Sequence, residues 1–312
     1  MTKLGTGVSV VIPAYNSEQT LEELVERLEV VLKSVPAHEV IIVDDGSRDA
    51  TWATIERIAH KHRRVRGVTL MRNYGQHNAL LCGIRLARYN VTVTIDDDLQ
   101  HPPEEIPKLL SALDGGDVVY GRPEAERHGV RRDVASRTTK FVLKAAMGAQ
   151  NATDVSAFRA FRTHVRDAFA DYDGSYVSID PMLAWGTQRF TAVTVRHEPR
   201  TRGRSNYTWQ RLAVHALNMI TTFSSFPLQI ASLIGFVFTI FGLATLAYVL
   251  GRYLLQGTTV AGFPFLASII AIFSGAQLFA LGIMGEYLAR IHSQSMSRPP
   301  FAVRRTVGND RN

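Results

Sequence analysis

Three consecutive carboxylates, Asp96, Asp97 and Asp98, stand in the run NVTVTIDDDLQHPPE at residues 90–104. Alternation along a strand puts Val91, Val93 and Ile95 on one face and Thr92, Thr94 and Asp96 on the other. The same two-residue repeat turns Asp96 and Asp98 in one direction where the strand ends. Adjacent acids repel one another unless a cation neutralises them. Two carboxylates that leave coordination positions open are the usual way to hold Mg²⁺ or Mn²⁺ against substrate phosphates. A solvated acidic turn capping a helix from Pro102 would carry the same local sequence. A second acid pair, in Asp44-Asp45-Gly46-Ser47, can accept hydrogen bonds from a base N–H and from ribose hydroxyls, or can serve as a turn with a helix cap.

These residues need a scaffold that collects them, and the N-terminal half has an α/β rhythm. Strands are predicted at Val8–Ile12, Glu39–Val43, Val65–Met71 and Asn90–Ile95, and helices at Leu21–Leu32, Trp52–His60 and His77–Ala87. Strands alternating with helices imply a mainly parallel sheet covered on both faces, with ligands beyond the carboxyl ends of the strands. The polar signatures fall at those ends: Pro13 to Asn16, Asp44 to Ser47, Arg72 to Gly75, and Asp96 to Gln100. Neither G-x-G-x-x-G after the first strand nor G-x-x-x-x-G-K-[ST] occurs, so the common glycine-rich phosphate cradles are excluded. Together the four strand ends favour a nucleotide-diphosphate site with a metal-bound diphosphate.

Charge is unevenly distributed along the 312 residues. No Asp, Glu, Lys or Arg occurs from Leu212 to Gly251, and after Arg252 the next is Glu286. Ile230–Gly251 would form roughly 33 Å of helix, enough for a hydrocarbon core of about 30 Å, and Pro264–Gly285 offers a second span. Basic residues on both flanks (Arg298, Arg304, Arg305 and Arg311 in the tail) place both termini in the cytoplasm. The apolar run Val8–Ile12 is too short for a signal peptide, and the single cysteine, Cys82, rules out an internal disulfide. A net charge of +7 suits a domain lying against anionic lipid; the basic residues are scattered and form no nucleic-acid motif. Ser136–Met147 mixes Lys and Arg with apolar residues as interfacial amphipathic helices do, and Leu212–Phe226, where apolar residues dominate before Pro227, offers a second such helix. The histidines show no ligand spacing: His60 and His62 read as solvated, and His77 and His101 lack a partner.

The segments VSVVIPAYNSEQTL, EVIIVDDGSRDAT, RNYGQHNALLCGI, TIDDDLQHPPEEIP and RGRSNYTWQRL resemble those of glycosyltransferase family 2, with its GT-A α/β fold. Within it they are most similar to the bacterial polyprenyl-phosphate glycosyltransferases, from about Val8 to Val303. The resemblance implies a catalytic domain over 1–210, a juxtamembrane segment over 211–228, two transmembrane helices within 229–290 and a basic tail over 291–312 in an inner-membrane protein. It implies that Pro13, Tyr15, Asp44 and Asp45 line the donor nucleotide, that Asp96 and Asp98 hold Mg²⁺ or Mn²⁺, and that Gln100 is a neighbouring polar contact. Arg122 and Arg131 match arginines that face phosphates or the acceptor, Asp154 matches a candidate base, and Arg200, Arg202, Ser205 and Tyr207 fall in the stretch that meets the lipid phosphate. The partners implied are a nucleotide sugar, UDP-linked by preference, an undecaprenyl phosphate acceptor, and further copies of the chain in a homo-oligomer, a tetramer among its forms. The chain departs from the pattern at Ser17, where the family has Glu; at Asp97, often Ala; and at Asn206, which replaces Lys.

A polyprenyl monophosphate is largely dianionic at neutral pH, since its second pKa is about 6, and needs little help from a base. The expected reaction is a single in-line displacement that inverts the anomeric carbon, with Asp98 and Arg200 assisting and Asp154 orienting as much as deprotonating. A processive polysaccharide synthase would carry Q-x-x-R-W, and none of Trp52, Trp185 or Trp209 follows an arginine. A sugar-lipid flippase component and a non-catalytic nucleotide-binding scaffold are the alternatives.

Overall fold

The computed structural model describes residues 7–124, 155–174, 176–198, 226–256, 263–296 and 298–308. Near-continuous Val and Ile runs form β1 (Val8–Ala14), β2 (His38–Asp44), β3 (Val65–Leu70) and β4 (Val91–Thr94). Amphipathic segments between them form α1 (Leu21–Leu32), α2 (Thr51–Lys61) and α3 (Gln76–Leu86). Each lies within one or two residues of the position its apolar spacing predicts. The helix expected from Pro102 opens instead as a 3₁₀ turn over Pro103–Glu105 and becomes α4 only at Ile106–Ala112. The described chain continues through β5 (Val118–Pro123), β6 (Arg159–Arg162), a 3₁₀ segment at Thr163–Phe169, α5 (Ile179–Gly186) and β7 (Phe190–Val195). Two long helices, α6 (Phe226–Gln256) and α7 (Phe263–Ser295), precede a last strand, β8 (Val303–Val307).

The strands form one sheet in the order β7-β5-β6-β4-β1-β2-β3-β8. Pairing is parallel through β4-β1-β2-β3 and between β5 and β7, whereas β6 runs antiparallel to β4 and β5, and β8 antiparallel to β3. The mainly parallel sheet is therefore mixed at its flanks, yet β1 to β5 and β7 all point one way. Their carboxyl ends line a single edge. Chain order reverses beside β1, with β2 and β3 on one side and β4 on the other, and such a switch point opens a crevice for ligands.

Burial explains why β1 and β2 read as unbroken apolar runs. Val10, Ile12, Val40 and Ile42 pack under Leu24, Leu28, Ile55, Ile58 and Ile106 on one face, while Val11, Ile41 and Val43 meet Leu80, Leu81, Ile84, Ile179 and Leu183 on the other. Gly83 permits this contact, because a Cβ there would stand 2.3 Å from Val11 Cγ1. Both faces of β4 are covered as well: Thr92 Oγ1 pairs with Thr163 Oγ1 at 2.8 Å, and Thr94 Oγ1 donates to the Ala157 carbonyl at 2.7 Å. The threonines thus satisfy their hydroxyls against neighbouring chain rather than water.

Windows of α6 (Pro227–Arg252) and α7 (Ile272–His292) have mean hydropathies of 2.3 and 1.3, with none of either window buried. The helices contain the two spans expected from sequence, and α7 runs ten residues past Gly285. Phe273 of α7 packs against Phe238 and Phe241 of α6, with ring centroids 5.5 and 6.3 Å apart. After α7 the chain returns to the sheet: Met71 N–H donates to the Ala302 carbonyl at 2.9 Å, and β8 pairs with β3. Part of the expected basic tail is therefore an edge strand of the α/β fold. The amphipathic segments expected at Ser136–Met147 and over 212–225 lie outside the described residues.

Candidate active site

Asp44 ends β2 and is 2% exposed. Its Oδ1 accepts from Ser47 N–H at 3.0 Å and its Oδ2 from Thr69 Oγ1 at 2.6 Å. Asp45 accepts the N–H groups of Tyr74 and Gly75, at 2.7 and 2.8 Å, one on each oxygen. Burial raises the Asp45 carboxyl to about 6 against the pull of those two N–H groups, with Asp44 adding repulsion. Both acids thus brace the chain that follows β2 and β3. Gly46 lets the loops meet: its φ is 69°, and a Cβ would stand 2.6 Å from the Arg72 carbonyl carbon.

After β1, Pro13 is buried beside Val43 and Asn16 takes a left-handed φ of 55°. Its N–H donates to Ser47 Oγ at 2.9 Å, and its Oδ1 accepts from Arg48 N–H at the same distance. The turn leaves the Tyr15 ring 41% exposed at the mouth of the crevice, where a flat side chain can stack on a base.

The three aspartates diverge. Asp96 Oδ1 accepts from Gln76 Nε2 at 2.7 Å, and Asp98 Oδ1 from Gln100 N–H at 3.1 Å. Asp97, a position often Ala in the resembling family, reaches across the switch point: it accepts from Tyr15 N–H at 3.3 Å and from the Ser17 hydroxyl. Burial, then Asp98, then Asp97 push the Asp96 carboxyl up to about 7, and burial also raises Asp97. Leu99, between Asp98 and Gln100, takes a φ of 60°, a conformation that costs an ordinary residue about 1–2 kcal/mol, with its side chain seated in the core. Among the described residues no three His, Cys, Asp or Glu side chains are grouped to hold a metal. Two carboxylates that repel one another suit a hard cation whose other ligands are phosphate oxygens and water.

Gln100 also accepts Glu198 N–H on its carbonyl at 2.9 Å, which draws the segment after β7 to the same edge. There His101 and His197 pack edge to face, 5.1 Å between centroids, a pairing that the sequence spacing did not show. His101 Nδ1 is buried without a hydrogen bond among the described residues, and burial together with His197 lowers that imidazole to about 4. Arg122 is exposed near the carboxyl end of β5, on the same edge as Asp96, two strands further out. Asp154, Arg131, Arg200, Arg202, Ser205 and Tyr207 lie outside the described residues. Sequence reasoning passed over Gln76 and Thr69, and marked Ser17 only as a departure from the family pattern. The only signal for a role of these three was their position at the same strand ends.

A strand-order switch with aspartates after β2 and β4 fits a GT-A-like α/β fold, and the comparisons place it more narrowly. The pattern described as Glycosyl transferase family 2 matches residues 9–170, and the chain belongs to that family. It is 36% identical to an undecaprenyl-phosphate 4-deoxy-4-formamido-L-arabinose transferase of Pseudomonas paraeruginosa, covering 96% of this chain and 90% of that one. A protein of the same name from Shewanella sediminis is 35% identical over 95% and 91% of the two chains. Among solved structures, the fold is similar to that of glucosyl-3-phosphoglycerate synthase from Mycobacterium tuberculosis in complex with Mn²⁺, UDP and glucosyl-3-phosphoglycerate. The TM-score there is 0.51 at 20% identity, over 71% of this chain and 80% of that one. The same enzyme with Mn²⁺, UDP-glucose and phosphoglyceric acid gives 0.52 at 20% identity, with the same coverage. The chain is a glycosyltransferase.

Proposed function

We propose that this protein transfers a sugar from a nucleotide diphosphate, UDP by preference, to undecaprenyl phosphate or a similar polyprenyl phosphate, inverting the anomeric carbon. The observation that carries this reading is the 36% identity to an undecaprenyl-phosphate sugar transferase across 96% of the chain, both apolar helices included. Tyr15, with Pro13, Asp44 and Asp45 behind it, lines the nucleoside end of the crevice. Asp96 and Asp98 would hold Mg²⁺ or Mn²⁺, which when bound supplies positive charge to the departing diphosphate. Gln100 fixes Asp98 through its N–H and the approach of Glu198 through its carbonyl. Arg122 lends charge at the outer edge of the site, and Arg131, Arg200, Arg202, Ser205 and Tyr207 are assigned to the acceptor phosphate. Because that phosphate is already anionic, Asp154 orients the acceptor rather than removing a difficult proton.

Topology supports a lipid acceptor. β8 follows both apolar helices and pairs with β3, which precedes them, so the chain ends on the side where it began. If α6 crosses the bilayer, α7 crosses back. We assign residues 1–210 to a catalytic domain, 211–228 to the membrane surface, 229–290 to the spans and 291–312 to a cytoplasmic tail that rejoins the sheet. The basic flanks orient all but the connection between spans toward the cytoplasm of the inner membrane, and a homo-oligomer is the expected assembly. The test is incubation of purified protein with Mg²⁺ or Mn²⁺, undecaprenyl phosphate and a panel of sugar nucleotides. Nucleoside diphosphate release only when lipid is present supports the transferase; saturable donor binding without release, lipid present, refutes it.

A further inference from the structure

Gln76 is the first residue of α3 and is exposed, yet its side chain makes a 2.7 Å hydrogen bond to Asp96 Oδ1. The residues before it are locked to the neighbouring strand end. Tyr74 and Gly75 give both N–H groups to Asp45, Gly75 holds a φ of 99° open only to glycine at low cost, and Asn78 secures the turn by donating to the Tyr74 and Gly75 carbonyls. Residues 74–76 therefore link the acid that follows β2 to the acid that follows β4.

We infer that Gln76 is a positioning residue for the first carboxylate of the cation pair, holding Asp96 in place and tying it through the Tyr74–Gly75 turn to Asp45. The inference rests on the reading of Asp96 and Asp98 as the cation-binding acids. An amide is suited to this task because it donates without carrying charge. A lysine or arginine in its place would neutralise Asp96 and compete with the cation, whereas a neutral donor engages one oxygen and leaves the full negative charge facing the site. The bond also relieves part of the crowding among three adjacent acids in the absence of a cation.

Direct Mn²⁺ binding tests this without relying on turnover. Full-length protein with UDP is titrated with Mn²⁺, and free ion is followed by electron paramagnetic resonance, for the wild type and for Gln76→Met and Gln76→Ala. Methionine keeps the length and bulk of the side chain but cannot donate. Loss of a hydrogen bond to a metal-ligating side chain typically weakens affinity about 10–100-fold, so both variants should require at least about tenfold more Mn²⁺. Their metal-free UDP affinities should match the wild type, and their metal-free melting temperatures should fall by no more than the loss of one exposed hydrogen bond accounts for. Wild-type affinity in Gln76→Met overturns the positioning role and leaves the cation site standing. Absence of saturable Mn²⁺ binding in the wild type overturns the cation-site reading itself, and the inference with it.

Discussion

Asp96, Asp97 and Asp98 are adjacent in sequence but are held by three parts of the fold: Gln76 on α3, the Tyr15–Ser17 turn after β1, and the Gln100 backbone. Alternation in sequence was enough to separate Asp97 from its neighbours, but its partners lie about eighty positions away, and no local pattern announces them. Asp97→Ala should therefore free the Tyr15 turn, raising the donor KM several-fold while the Mn²⁺ requirement stays close to wild type; an unchanged donor KM would show that the link is incidental. Asp98→Asn removes a proposed ligand on the surface of the crevice, and cation-dependent turnover should vanish while the melting temperature holds. Retained turnover would sink the metal assignment. Asp96 carries a pH signature. Its carboxyl titrates at about 7 in the fold and near 4 in an unfolded chain. Between those values the folded protein keeps a proton that the unfolded chain has lost, so this group's stabilising contribution is complete below about pH 4 and is lost as pH rises through about 7. Asparagine cannot ionise. In metal-free buffer, Asp96→Asn should gain melting temperature relative to wild type as pH is raised from 4 to 7, and added Mn²⁺ should narrow the difference. A difference that is flat with pH contradicts the shifted titration.

The elements from β1 to β4 were legible because periodicity, length and strand-end punctuation all agreed, and most of their partners are near neighbours in the chain. β8 was not. Its sequence, VRRTV, is short, exposed and half polar, and what makes it a strand is the open edge of β3, some 230 residues earlier. The antiparallel β6 escaped for the same reason, since RAFR acquires its meaning only between β4 and β5. Gly67 is the element-scale test of the β8 dock: a Cβ there would stand 2.3 Å from Ile55 Cγ2 and 2.8 Å from Val307 Cγ1. Gly67→Ala should cost about 1–3 kcal/mol, the usual range for overpacking a filled site. In a chain ending at Pro300, which lacks the Val307 obstacle, the same substitution should cost less. Equal costs in the two backgrounds, read from denaturant midpoints, would mean that β8 is not seated on β3 in solution.

At the scale of the whole molecule, the pairing of β8 with β3 constrains the membrane path more tightly than charge counting does. A sheet cannot be divided by a bilayer, and its strands flank both apolar helices, so any crossings these two helices make come as a pair, and among the described elements it is the connection between α6 and α7 that would then emerge opposite the sheet. The chain's single cysteine makes this simple to read. Cys82 is 1% exposed, and burial pushes its thiol up to about 12, so it is inert to thiol reagents in the folded protein. Thr258→Cys, between the helices, and Arg305→Cys, on β8, then report separately. In intact cells with a permeabilised outer membrane, a membrane-impermeant maleimide should label Thr258→Cys and leave Arg305→Cys untouched; after lysis both should react, and the unsubstituted chain should react in neither case. Labelling of both positions in intact cells would turn the catalytic sheet outward, away from nucleotide sugars, and protection of both would lay the two helices on the cytoplasmic surface instead of through it. The first pattern is the one expected of two crossing helices, with the proposed donor and the proposed lipid phosphate meeting on the cytoplasmic side.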